Sequence, residues 1–157
     1  MMNRNRSGIS PVMATVILVA IAIVIAIAVA FWATGLVGIF TRYEKLEVTA
    51  AVYSNGQVEL RVRNTGSSPA TIDDIYVNGI PLALSGVTFT GSGSVLSASS
   101  PIASCTGSTP CSLSPGESIV IIVASPAAGG SWVSGVTYEV SVHTASGKTY
   151  PASVLIT

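Results

Sequence analysis

Few residues in this chain have types and spacing suited to chemistry. Cys105 and Cys111 are its two cysteines, and both lie in one Ser/Thr/Gly-rich stretch. A disulfide there would close a short surface loop and would suit an oxidising, extracytoplasmic setting. The alternative is a pair of free thiols in a loop. A thiolate metal site needs further ligands, and His143 is the single histidine, so no metal is expected. A hydrolytic triad would require a serine to meet His143 and either Asp73 or Asp74, but no serine sits in a nucleophile-elbow pattern. His143 falls in an expected strand, facing neighbours or solvent. Consecutive strand residues point to opposite faces, so Asp73 and Asp74 would not chelate as a pair without a bulge, and a surface turn or salt link is expected of them. The chain has no Gly-rich phosphate loop and no CxxC. The reading is therefore no catalytic residue and no cofactor.

One stretch has the composition of a processing site. Arg6-Ser7-Gly8 places a basic residue and two small ones directly before Ile9, where a protease at the membrane surface would accept them and cut between Gly8 and Ile9. Ser10 is then a good helix N-cap, and Pro11 takes the first helical position, where its missing N–H costs nothing. The one Asn-x-Ser/Thr sequon, Asn5-Arg6-Ser7, would leave with the leader, so N-glycosylation of the mature chain is not expected. The abundant Ser and Thr further on read either as acceptors of O-linked sugars or as a neutral, low-charge surface.

The elements that position these residues follow from composition. Charged residues are 9% of the 157, against about 25% in an ordinary soluble protein, and mean hydropathy is +0.66. Water is not the only solvent this chain meets. Net charge is zero and the basic residues are scattered, so there is no stripe to neutralise phosphates and nucleic-acid binding is not expected. No charge occurs between Arg6 and Arg42, and the run 12–33 is broken only by Thr15. As a helix, that run would extend about 33 Å, enough to cross a bilayer core. Arg4 and Arg6 precede it, while Arg42, Glu44, Lys45 and Glu47 balance after it, which orients the carboxy-terminal part outward. A secretory signal peptide would have a shorter apolar core, of about 7 to 15 residues. That leaves an uncleaved signal anchor or a cleaved leader before a retained helix.

The rod is rich in Val and Ile, from Val16 and Ile17 to Ile27 and Val29, which are poor helix formers in water, so lipid or neighbouring helices must enforce the helix. Ala22, Ala26, Ala30, Thr34 and Gly38 recur every four residues and form a ridge on which another helix backbone can approach closely. Alanine is common in any transmembrane helix, and Gly35 and Gly38 equally suit a bend near the helix end.

From Lys45 onward, short β-branched runs alternate with turn dipeptides, the pattern of an antiparallel all-β domain. Residues 46–54 and 57–63 flank Asn55-Gly56, a type I′ hairpin signal, with Val58, Leu60 and Val62 expected inward and Glu59, Arg61 and Arg63 outward. Residues 72–77 and 80–84 flank Asn78-Gly79 in the same way, and further strands are expected at 118–124, 137–143 and 150–156. The stretch 86–114, Ser/Gly/Thr-rich and holding both cysteines, reads as a long exposed excursion. The motifs Arg61-Val62-Arg63-Asn64-Thr65-Gly66 and Leu113-Ser114-Pro115-Gly116-Glu117 are similar to turns of secreted sandwich domains and carry no chemistry. The fold class is α+β: a long N-terminal apolar helix followed by a small antiparallel β-sandwich of immunoglobulin-like character. The divisions are 1–8 as leader, 9–44 as helix and 45–157 as sandwich.

The stretch Arg6-Ser7-Gly8-Ile9-Ser10-Pro11-Val12, with the apolar run after it, resembles the amino terminus of archaeal type IV pilins and related adhesion filaments over about the first 40 residues. The resemblance implies a class III signal peptide cut by a prepilin peptidase between Gly8 and Ile9, with Arg6 and Ser7 in the recognised leader. It further implies a precursor inserted in the membrane, and a helix that exchanges lipid for sister helices in the core of a homopolymeric surface filament. Identical subunits, the peptidase, the membrane and an assembly ATPase carried by another protein are the implied partners. Bacterial type IV pilins carry glutamate at the fifth mature position, where this chain has Met13, which favours the archaeal branch. The Ser10-Pro11 pair ranks an adhesion filament above a motility filament. The alternative is an unprocessed, membrane-anchored extracytoplasmic binding module.

Overall fold

The computed structural model describes residues 11–36, 42–99, 101–127 and 129–157. Two compact units divide the chain, Met1–Thr41 and Arg42–Thr157.

In the first unit, α1 runs over Pro11–Phe31 and continues into a π-helical turn, Trp32–Leu36. Residues 1–10, which hold the expected Ser10 cap, lie outside the described residues. The Thr34 hydroxyl donates to the Ala30 carbonyl oxygen at 2.6 Å. That bond competes for the carbonyl the α ladder would use, a known cause of local widening. Gly35 lies inside this widened turn. The helical run expected to reach residue 44 does not include residues 42–45, which belong to the second unit and carry no helix. Their carbonyls are committed elsewhere: Tyr43 O accepts from Ser67 N (2.8 Å), and Lys45 O accepts from Thr65 N (2.9 Å).

The second unit holds β1 (Leu46–Ser54), β2 (Gln57–Asn64), β3 (Ala70–Val77), β4 (Ile80–Pro81), β5 (Val87–Thr90), β6 (Cys111–Leu113), β7 (Ser118–Val123), β8 (Thr137–Thr144) and β9 (Thr149–Leu155). One sheet has the order β1-β2-β7-β5; the other runs β4-β3-β8-β9, with β6 also paired to β3. All named pairings are antiparallel. In chain order this sets strands A, B, E and D of an immunoglobulin-type sandwich against C, F and G, with β4 as an added edge. Between the sheets lie Leu60, Ile72, Ile75, Phe89, Leu113, Ile119, Ile121 and Val142, all essentially inaccessible.

Both Asn-Gly pairs form the expected turns. Asn55 and Gly56 have φ of 51° and 79°, and Asn78 and Gly79 have 50° and 79°, the left-handed pair that a type I′ hairpin requires. The second hairpin is shorter than expected. β4 ends at Pro81, because Ala83 and Leu84 adopt φ of 50° and 57° and turn the chain. The stretch 86–114 is also not the exposed excursion expected of it. It contributes β5 and β6, and Val87, Phe89, Ala103, Cys111 and Leu113 are core residues. Its Ser and Thr residues conceal a period-two apolar pattern, Val87 and Phe89, then Cys111 and Leu113.

Candidate functional site

Two surfaces are candidates: the side of the rod and the loops fastened to the sandwich. In α1 no residue is buried, and Val12, Phe31 and Trp32 are each nearly 70% exposed. Each large apolar side chain left in water forgoes roughly 1.5–3 kcal/mol, so the helix as it stands is a surface awaiting lipid or protein. The segment Pro11–Gly35, 25 residues, is long and apolar enough to cross a membrane. Ala22, Ala26, Ala30 and Thr34 are all exposed, and the Thr34 hydroxyl donates to the Ala30 carbonyl oxygen within this set. The expected cleavage and recognition residues Arg6, Ser7, Gly8 and Ile9, and Gly38 of the ridge, lie outside the described residues.

On the sandwich, Glu59 departs from its expected outward exposure. Its side chain does point away from the core, between Val58 and Leu60, yet the residue is fully buried. After β5 the chain folds back as a small hairpin, closed by the Ser92 to Ser97 bridge and by Ala98 N donating to Gly91 O at 2.9 Å. This hairpin covers the carboxylate. Glu59 Oε1 accepts from Ser94 N (2.6 Å), and Oε2 accepts from Val95 N (3.1 Å) and Leu96 N (3.0 Å). Three successive backbone N–H groups form an anion nest. Burial alone would raise the pKa of Glu59. Hydrogen bonds from the Ser94 side chain and from the Val95, Leu96 and Ser94 backbone outweigh it and hold the carboxyl below its ordinary 4.5. Gly93 is required here, because a Cβ at that position would overlap the Glu59 carboxylate. Arg61, two residues along β2, fixes the far side of the hairpin through Nη1 to Ser97 O (3.4 Å) and also donates from Nε to Thr49 Oγ1 (3.0 Å).

At the other end of β2, Asn64 is also fully buried. Its Nδ2 donates to Ser68 O (2.9 Å) and Leu113 O (2.8 Å), and its Oδ1 accepts from Gly66 N (2.9 Å). Its own backbone N donates to Glu117 O, and its O accepts from Gly116 N. The two turn motifs noted in the sequence thus meet at one side chain. Gly66 must stay small, since a Cβ would strike the backbone of Tyr43 and Lys45. Neither Glu59 nor Asn64 stood out in the sequence. The partners of Glu59 lie 35 to 37 positions away, and no local pattern separates it from Arg61.

The remaining expectations are placed as follows. Cys105 and Cys111 form a disulfide with Cα atoms 5.5 Å apart, fastening the loop between them to β6. His143 Nδ1 lies 2.7 Å from Asp73 Oδ1, and its ring stacks on Tyr76 with centroids 5.1 Å apart. Asp73 sits at a register shift of β3, and Asp74 turns away to accept from Ile75 N and Leu84 N through its Oδ1. Asp73 is thus paired with His143 and not with Asp74. Among the described residues no group of three or more His, Cys, Asp or Glu could hold a metal.

No protein-family model and no curated protein matches the sequence. Among solved structures, the chain is similar to the archaellum periplasmic stator protein FlaG from Sulfolobus acidocaldarius, at 17% identity and a TM-score of 0.40, covering 71% of this chain and 99% of that one. It is also similar to a chain of the periplasmic stator complex of FlaF and FlaG from the same organism, at 21% identity and a TM-score of 0.40 over 69% and 86% of the two chains. A third similar structure, the Iho670 flagellar-like filament, has 16% identity and a TM-score of 0.37 over 94% and 98%.

Proposed function

We propose that this chain is the structural subunit of an extracellular type IV pilus-like filament of the archaeal kind, used for surface attachment. The observation that carries this is the pairing of a 25-residue apolar helix, none of it buried within the chain, with a sandwich that completes its own core. A helix of this composition is satisfied first by lipid and then by sister helices, and the ridge of Ala22, Ala26, Ala30 and Thr34 offers close approach to the latter. Prepilin peptidase cleavage between Gly8 and Ile9 would release the helix into the filament, and a separate ATPase would drive assembly. The chain itself performs no catalysis in this reading.

The test is the intact mass of the native protein recovered from sheared cell-surface material. A mass beginning at Ile9 is expected. A full-length mass confined to detergent-extracted membranes would instead favour the anchored binding module, which the length of the helix equally permits.

A further inference from the structure

Two of the five asparagines in the chain are followed by glycine, at Asn55-Gly56 and Asn78-Gly79. A glycine nitrogen has no side chain beside it, so it reaches the side-chain carbonyl carbon of the preceding asparagine more easily than the nitrogen of any other residue. Its attack forms a bond from the glycine N to the asparagine Cγ, breaks the Cγ–Nδ2 bond and expels ammonia. Water then opens the cyclic imide at one carbonyl or the other, leaving aspartate or isoaspartate. The reaction needs neither an enzyme nor a cofactor.

The two pairs share most of their setting. Each is a hairpin tip, closed by Ser54 opposite Gln57 and by Val77 opposite Ile80. In each, both residues are exposed and in the left-handed region, and a Cβ added at either glycine would meet open space. They differ at the asparagine side chain. Asn78 Oδ1 accepts from Glu139 N at 3.0 Å, and Asn78 N donates to Glu139 O at 2.8 Å, which ties this residue to β8 at two points. The Asn55 side chain makes no hydrogen bond among the described residues. To swing onto the next nitrogen, the Asn78 side chain must first give up its bond to Glu139; that of Asn55 gives up nothing.

We infer that Asn55 is a site of spontaneous deamidation in the folded protein, and that Glu139 shields Asn78 from the same reaction. Two hydrogen bonds that must break first slow the reaction at Asn78 by about tenfold or more. Conversion at Asn55 places a carboxylate on a hairpin tip whose residues 53–57 carry no charge, in a chain whose formal net charge is zero. The aspartate product keeps the turn, because Asp-Gly suits a type I′ loop as Asn-Gly does. The isoaspartate product routes the main chain through the side-chain carbon and lengthens the loop between Ser54 and Gln57. Neither site needs a second molecule, so the chemistry is independent of assembly.

The full-length chain is held in mildly alkaline buffer, once folded in detergent and once unfolded in urea, and the amide and acid forms of the peptides spanning positions 55 and 78 are followed over time by mass spectrometry. In the folded chain, position 55 should convert at least about tenfold faster than position 78. In urea, where the bonds to Glu139 are gone, that gap should close. Equal rates in the folded chain, faster conversion at position 78, or no conversion at position 55 overturns the inference. A gap that persists in urea also overturns it, because the difference would then belong to the neighbours Ser54 and Val77 rather than to Glu139.

Discussion

Asn64 and Glu59 are on the same strand and perform the same task by different means. Each is a buried polar side chain of β2 that fastens distant loops to the sandwich. Asn64 is neutral and serves the end where the chain enters; Glu59 is charged and fastens the hairpin over the outer face of its sheet. The neutral anchor both donates and accepts, so its strength is independent of pH. The charged anchor only accepts, and it holds only while ionised. One loop system is permanently fixed, while the other is fixed under a condition.

The largest effect should come from removing the neutral anchor. Asn64→Ala strands the carbonyls of Ser68 and Leu113 and the N–H of Gly66, and at about 1–3 kcal/mol for each buried group left unpaired, partly recovered by water, the loss should be about 4 kcal/mol. Denaturant unfolding of the full chain in detergent measures it. Gly93→Ala should cost about 3 kcal/mol, because either the hairpin or the carboxylate must move out of the contact that a Cβ creates. Glu59→Gln retains the shape and one acceptor oxygen, so the expected loss is smaller, about 1.5 kcal/mol. Its effect should not add to that of Gly93→Ala in a double-mutant cycle, since both break one latch; simple additivity would mean that the two residues act separately.

The pH dependence sharpens the same contrast. The carboxyl of Glu59 is held below its ordinary 4.5 in the folded chain, so its contribution is fully present above 4.5, declines as the pH falls below that value, and is gone once the pH passes the lower folded value. Relative to the intrinsic exchange rate at each pH, protection of the amides of Ser94, Val95 and Leu96 should therefore fall under acid in the native chain and in Asn64→Ala, and should show no such step in Glu59→Gln. An acid step that survives in Glu59→Gln would assign it to another group.

Local physics made much of this architecture legible in the sequence. The apolar rod and the two Asn-Gly hairpins each depend on residues within a few positions of one another, and β1 spans the residues expected of it. The stretch 86–114 was misread because its apolar residues are sparse and its polar ones small, so composition masks alternation. Glu59 was misplaced for a different reason: outward on a strand means exposed only if nothing crosses above, and what crosses is a hairpin 35 residues later. Asn64 was visible only as part of a turn motif, since its partner Leu113 is 49 residues away.

The edges of the two sheets carry a further consequence. An open strand edge is a template for continuing the sheet into an adjacent molecule. Among the described residues, four edge strands are each blunted by their own means. β4 is two residues long and ends in Pro81, β9 carries Pro151, β1 has a register shift between Val48 and Ala50, and β5 has Gly107 bridged to Phe89. Edges interrupted in this way work against continuation of a sheet from one molecule into the next. A neighbouring molecule is then met by side chains rather than by strand edges, which opposes amyloid stacking.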